Sequence, residues 1–318
     1  MRASNHVPKF WWWHEAVIGG LLLCLLIIAG TLMPSFLNID SQLLLSRQLW
    51  ELAILAMGMT VVIITGGIDL SVGSTMGLCA VSFGMCHAAT TNLLMASSAC
   101  FLTGLLCGAL NGVLIARAGL HPLIVTLATY AAYRGVAEGL SEGMSYSRFG
   151  TQFSQLARGS WIGIPMPGYA FLVIAVCFMV FLAKTPTGRF LYAMGHNERA
   201  ARFAGVAVKR IKFRLYTLSG LLAGLSTLIY VARFDTAKAD AGKGFELEVI
   251  TAVVLGGTSI HGGRGNVAGT VLGLLLIHET RLFVTRYWKT DEVRSIVIGM
   301  LLIVAVLVHQ VIFSKRRA

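Results

Sequence analysis

Apolar residues in this chain fall in long unbroken runs, and the short segments between the runs hold most of the charge. A helix needs about 20 residues at about 1.5 Å each to cross a hydrocarbon layer of about 30 Å. That length predicts ten spans, at roughly 16–33, 50–65, 74–90, 93–116, 122–138, 168–183, 214–232, 247–260, 267–283 and 295–313. The expected fold is an all-α integral membrane protein, a polytopic bundle of about ten transmembrane helices, with residues 1–318 forming a single transmembrane domain. In lipid such a bundle is stable because each helix satisfies its own backbone hydrogen bonds. The first run, Ala16 to Met33, exceeds the apolar stretch of a cleavable signal, and Lys9 and Trp11-Trp12-Trp13 precede it as an interfacial belt. It reads as a retained span.

Two interruptions of the apolar pattern echo each other. Thr65 to Ser74 reads T-G-G-I-D-L-S-V-G-S, and Gly256 to Gly263 reads G-G-T-S-I-H-G-G. At an offset of 190, Gly66, Gly67 and Gly73 fall on Gly256, Gly257 and Gly263, a weak internal repeat of the kind transporters carry. Asp69 and Ser71 lie inside the first interruption, and a carboxylate at the centre of a span costs about 2.5–3.5 kcal/mol on insertion scales. Glycines on both sides permit an unwound backbone, which membrane depth tolerates only under protein cover or beside a wet cavity. Two readings follow: broken helices near a translocation path, or Asp69 capping the next helix by accepting N–H bonds from residues two or three ahead. Glycines spaced by four (Gly104, Gly108 and Gly112; Gly265, Gly269 and Gly273; Gly220 and Gly224) predict close helix contacts within the bundle.

Composition agrees with a lipid solvent: apolar residues are 56% and charged residues 13%, against about 25% charged in soluble domains. In a soluble protein the net charge of +12 would raise nucleic-acid binding. Here it concentrates between Lys184 and Arg214, with eight basic residues and one acid. By the positive-inside rule this places that loop and both termini in the cytoplasm, so the charge reads as topology and no nucleic-acid partner is expected. All six cysteines lie in apolar runs without a C-x-x-C pair and read as buried hydrophobes, not metal ligands. The chain has no G-x-x-x-x-G-K-[ST], H-E-x-x-H or G-x-S-x-G motif, so no enzymatic apparatus and no cofactor of its own are expected.

Inside the basic loop, Gly195-His196-Asn197-Glu198-Arg199-Ala200-Ala201-Arg202-Phe203-Ala204-Gly205 has strong helix formers, a capping residue at Asn197 and a terminal glycine. A short surface helix is expected, resting on anionic headgroups or docking a soluble partner. Glu279, Arg281 and Arg286 read as solvated groups near the outer surface, Glu246 and Glu248 as groups facing an outer vestibule, and the alternating charges from Asp235 to Lys243 as an ordinary solvated loop.

Three segments carry a family resemblance: T-G-G-I-D-L-S-V-G-S at 65–74, A-M-G-H-N-E-R-A-A-R-F-A-G-V at 193–206, and V-V-L-G-G-T-S-I-H-G-G-R-G-N-V-A-G-T-V-L-G at 253–273. Together they resemble the monosaccharide permeases of bacterial ATP-binding-cassette importers, which include ribose, galactose, xylose, rhamnose and autoinducer-2 permeases. The Ala200-Ala201-x-x-x-Gly205 spacing is a degenerate form of their coupling motif. The resemblance implies a multi-pass protein of the bacterial inner membrane that pairs with a second permease subunit, identical or related. It implies cytoplasmic ATPase subunits that bind the ATP and a periplasmic substrate-binding protein. It makes Gly195, His196, Asn197, Glu198, Ala200, Ala201 and Gly205 the ATPase-coupling segment. It carries Gly66, Gly67, Asp69, Ser71, Gly73, Gly256, Gly257 and Gly263 over as structurally important only, without a sugar contact. A rhamnose-like or autoinducer-2-like solute is the preferred cargo. The rival expectation is an ion-coupled secondary transporter of a small polar solute, for which Asp69 is the one carboxylate well away from the outer surface.

Overall fold

A computed structural model describes residues 10–288, 292–293, 296–301 and 303. The chain is helical almost throughout: α1 (Phe10–Leu32), α2 (Ile39–Leu45), α3 (Trp50–Ile64), α4 (Val72–Thr90), α5 (Leu93–Ala116), α6 (Pro122–Ser141), α7 (Thr151–Arg158), α8 (Met166–Lys184), α9 (Pro186–His196), α10 (Glu198–Phe203), α11 (Val208–Phe234), α12 (Phe245–Leu255) and α13 (Val267–Trp288). Among the described residues, four two-residue strands, β1 (Tyr146–Ser147), β2 (Ser160–Trp161), β3 (Ile164–Pro165) and β4 (Thr236–Ala237), pair as β1 with β4 and β2 with β3.

Among the described residues, six helices are long and apolar enough to cross a membrane: α1, α4, α5, α8, α11 and α13. Residues 39–48 and α3 form a pair bent by 55° that is apolar enough for a crossing only if the two are taken together as one broken span. The span expected at 122–138 is the helix α6, which carries Arg134 and Glu138. The span expected at 247–260 is corrected: α12 has 11 residues, about 16 Å, half of what a crossing needs. It stops at Leu255 because Gly256 and Gly257 turn the chain, Gly257 with a φ of +89°. The tenth expected span, 295–313, lies outside the described residues apart from 296–301 and 303, which are helical.

The 27-residue helix α11 is the axis of the bundle. α5 runs antiparallel along it, backbone against backbone: a Cβ on Gly220 would run into the Gly104 carbonyl and lie 2.8 Å from the Gly108 nitrogen. Gly112 meets Phe213 in the same seam. The glycine stripe is thus a contact inside the bundle, where small residues let helices approach without a hydrophobic driving force. α3 also runs antiparallel to α11, from Glu51, which pairs with Arg233 at 2.7 Å, to Gly58 against Leu222 and Ser219. One end of the bundle therefore holds α9, α10 and the start of α11 with the eight basic residues. The other holds α7, both strand pairs and the end of α11.

Candidate functional site: a junction of glycine loops beneath two half-depth helix starts

At the basic end two non-helical turns and the last turn of a helix meet backbone to backbone. Gly263 N–H donates to Ile64 O, the last carbonyl of α3, at 2.8 Å. Gly195, in the last turn of α9, packs so closely on Ile64 O and on Gly263 that a Cβ there would overlap both. A Cβ on Gly262 would lie 2.8 Å from the nitrogen of Gly66, and Gly263 abuts the ring of His196. Tyr192, one turn earlier on α9, donates its hydroxyl to Gly265 O at 2.9 Å. The loop after α3, the loop after α12 and the end of α9 are thus locked into one contact. Gly66, Gly262 and Gly263 have φ of +81°, +82° and +76°, in the left-handed region that glycine enters without strain.

α1 ties into the same junction. His14 Nε2 lies 3.1 Å from Leu255 O and Glu15 accepts from Asn266 Nδ2 at 2.9 Å. Asn266 Oδ1 in turn accepts from Gly269 N at the start of α13. Gly257 lies against the His14 ring, and Gly256 packs on Gly269.

Above the junction lies a buried polar network. Asp69 is 2% exposed. Its Oδ1 accepts from Ser71 N (3.0 Å) and Ser71 Oγ (2.6 Å), and its Oδ2 accepts from Ser219 Oγ (2.8 Å). The bond to the N–H two residues ahead fits the capping reading, although Ser71 itself holds the N-cap position of α4. Asn111 Nδ2 donates to Ser71 Oγ (2.8 Å), and Thr126 Oγ1 donates to Ile68 O (3.0 Å). α4 therefore begins level with Ser219, about 16 Å along α11. Beside it stands Gly73, so close to Gly242 O and the Glu246 carboxylate that a Cβ would overlap the latter. α12 thus also starts deep in the bundle.

The first predicted group is therefore divided. Gly66, Gly67 and Gly263 are at the basic end, Asp69, Ser71 and Gly73 at half depth, and Gly256 and Gly257 against α13 and α1. Of the second group, Gly195 and His196 join the junction. Asn197 Oδ1 accepts from Ala200 N at 3.0 Å and starts α10 as expected. Ala201 is buried, Ala200 is exposed, and Gly205 ends the helix with φ +83°. Phe203, between them, is 92% exposed. Glu198 pairs with Lys212 (2.6 Å) and Arg202 (3.0 Å). Partial burial pushes its pKa upward, but the bonds and charges of Lys212 and Arg202 outweigh this and hold it below the ordinary value of 4.5.

Four expectations about charged side chains are corrected. Glu246 and Glu248 sit in the first turn of α12 and are buried, Glu248 pairing with Arg281 at 3.3 Å. Glu279 and Arg281 are half-buried, and Glu279 Oε2 is enclosed. Sequence reasoning also missed Arg134, Tyr192, Asn111 and Ser219. Only Arg134 carried a signal, as a cation in the middle of an expected span.

The fold defines a class, a polytopic helical membrane protein with half-depth helices and backbone-packed glycine loops. Residues 41–306 match the family model described as branched-chain amino acid transport system / permease component. The chain is 39% identical over 288 residues to the ribose import permease protein RbsC of Bacillus subtilis, covering 90% of this chain and 89% of the relative. It is 36% identical over 291 residues to the autoinducer 2 import system permease protein LsrD of Klebsiella pneumoniae, covering 89% and 87%. It is 36% identical over 288 residues to RbsC of Escherichia coli K12, covering 89% and 90%. No solved structure matches it. The chain belongs to this permease family: it is a membrane-spanning permease subunit of an ATP-binding-cassette importer and not an enzyme. The family reading drawn from the three motifs holds, and the ion-coupled alternative gains no support.

Proposed function

We propose that this subunit carries a small sugar or sugar-like solute inward through the bacterial inner membrane, with ribose-like and autoinducer-2-like molecules as the first candidates. The relatives that match nine-tenths of its length are import permeases for ribose and for autoinducer 2. In this reading the basic end and both termini are cytoplasmic, and two permease subunits enclose the path. A periplasmic protein delivers the solute, and ATPase subunits grip the loop 184–214.

The observation that carries the mechanism is the three-segment junction. The α9–α10 arm holds Phe203 out at its tip and touches both glycine loops at its base. A push on the tip is delivered through Gly195 and Tyr192 to the segments leading into α4 and α13. The path motif, Gly66, Gly67, Asp69, Ser71, Gly73, Gly256, Gly257 and Gly263, then serves as the hinge backbone at the start of α4 and the end of α12 rather than as a set of solute ligands.

The test is reconstitution. The chain alone in liposomes with an ion gradient is expected to show no sugar uptake, and uptake without an ATPase would overturn the proposal. The ATPase expected to copurify should be lost on Phe203→Asp and on paired Ala201→Glu, Gly205→Glu changes. Phe203 is free of packing, so its variant folds, and retained copurification would contradict docking at this arm.

A further inference from the structure

Arg134 stands on α6 inside the bundle and directs its guanidinium at backbone. Nη1 donates to the carbonyls of Ala239 and, at 3.4 Å, Ala241, and Nη2 donates to Gly73 O at 3.1 Å. Two of the three carbonyls belong to residues 238–244, a non-helical turn folded into the bundle between β4 and α12. Ala239, Ala241 and Gly242 are buried there, while Lys238, Asp240 and Lys243 face outward. Carbonyls of such a turn need a partner at membrane depth, and Arg134 is one. Gly73 also abuts Glu246, which is 7% exposed. Glu246 Oε1 accepts from Gly244 N at 3.2 Å, and Oε2 is enclosed without a partner among the described residues. A half-buried cation and a buried carboxylate thus flank one glycine without a hydrogen bond between them. Opposite charges shielded from water favour an arrangement in which they pair.

We propose that residues 238–244 form a gate on the side of the half-depth helix starts away from the basic loop, closed here by Arg134, and that it opens when the Arg134 guanidinium passes from the loop carbonyls to the Glu246 carboxylate. The proposal rests on the importer reading above and adds the residues that operate it. Gly73 is the part that has to move. It opens α4, and the Gly66–Ser71 segment before it runs from the three-segment junction. A displacement of α9 at Gly195 reaches the gate along that stretch of chain. Glu246 and Arg134 act on the loop, not on the solute, and are positioning residues.

The importer, with its ATPase and binding protein, is placed in proteoliposomes with Ala241→Cys, and labelling by a membrane-impermeant maleimide is timed. The chain without that substitution sets the background. Slow labelling at rest and a several-fold rise with ATP and binding protein are expected. Arg134→Lys, a single-point donor that cannot bridge separate carbonyls, should raise resting labelling at least about threefold. Glu246→Gln should keep the resting rate and lose the stimulated rise, and Glu246→Asp should regain part of it. An unchanged resting rate in Arg134→Lys overturns the gate, as does a full stimulated rise in Glu246→Gln. The resting comparison needs no ATPase, so it decides even where Glu246→Gln fails to elute as a single species. An ATPase that copurifies while stimulation is absent sinks the gate alone, whereas no copurification sinks the importer reading.

Discussion

Three donors converge on the Asp69 carboxylate, all from groups enclosed by protein. Removing it leaves the Ser71 N–H without its acceptor and frees two hydroxyls, each loss worth about 1–3 kcal/mol when no substitute partner exists. Asp69→Ala is expected to destabilise the bundle by about 2–4 kcal/mol, read as a fall in the thermal midpoint in detergent. Asp69→Asn keeps one acceptor oxygen and should fall less. An Asp69→Ala midpoint equal to that of the parent would show that the network contributes nothing. Glu198 is the opposite case, a carboxylate at the water-facing end. Its folded pKa lies below 4.5, so its ion pairs are fully present above the unfolded value and fade as pH falls through the folded one. More than a third of the side chain is exposed, so the effect is below about 1 kcal/mol. As pH drops below about 4.5 the parent's midpoint should fall further than that of Glu198→Gln, until the two coincide. Parallel curves would refute the assignment.

At the scale of elements, the seam between α5 and α11 separates glycines that look alike in sequence. A Cβ at Gly220 meets backbone atoms of α5 that cannot step aside, whereas at Gly224 the nearest atom is 3.5 Å away, an ordinary contact. Gly220→Ala should cost about 1–3 kcal/mol or more by overpacking, while Gly224→Ala should be close to neutral. Equal midpoints for the two variants would mean that the seam is looser than this. The same scale explains one sequence misreading and one reading that holds only for the charged positions. The run 247–260 is apolar throughout, so hydropathy extends it to a span, but Gly256 and Gly257 stop the helix. The solvated reading of the alternating charges from Asp235 to Lys243 holds for Lys238, Asp240 and Lys243, which are exposed. Here the alternation puts charges outward and alanines inward, because β4 pairs with β1 and the turn folds inward beside α4.

Across the whole molecule, the junction joins the arm at the basic end to the helices that start at half depth. Gly195 is its tightest point. Gly195→Ala would push α9 off Ile64 O and Gly263 while leaving α10 and Phe203 intact. The expected outcome is uncoupling: the ATPase still copurifies and hydrolyses ATP, and solute uptake falls at least about tenfold, a change of about 1.4 kcal/mol or more in the coupled step. Normal uptake in a folded Gly195→Ala importer would remove the junction from the mechanism.

The amino-acid sequence by itself determined the helical membrane class, the positions of most of the long helices and the basic end, but not the short helices α2, α7 and α9. Hydropathy runs, capping residues and charge bias are local properties, and lipid leaves little choice of backbone. It also marked the glycine motifs and the family, because turns that need left-handed backbone or close approach restrict the residue type strongly. Only the tertiary structure decided which glycines meet, that α12 spans half the depth, that Glu246 is enclosed and that Arg134 holds a turn far away in the chain. Those contacts join residues 61 to 199 positions apart, such as Arg134 with Gly73 and Ile64 with Gly263. Their partners are set by how α5, α11 and α13 pack, and no local pattern in the chain encodes that.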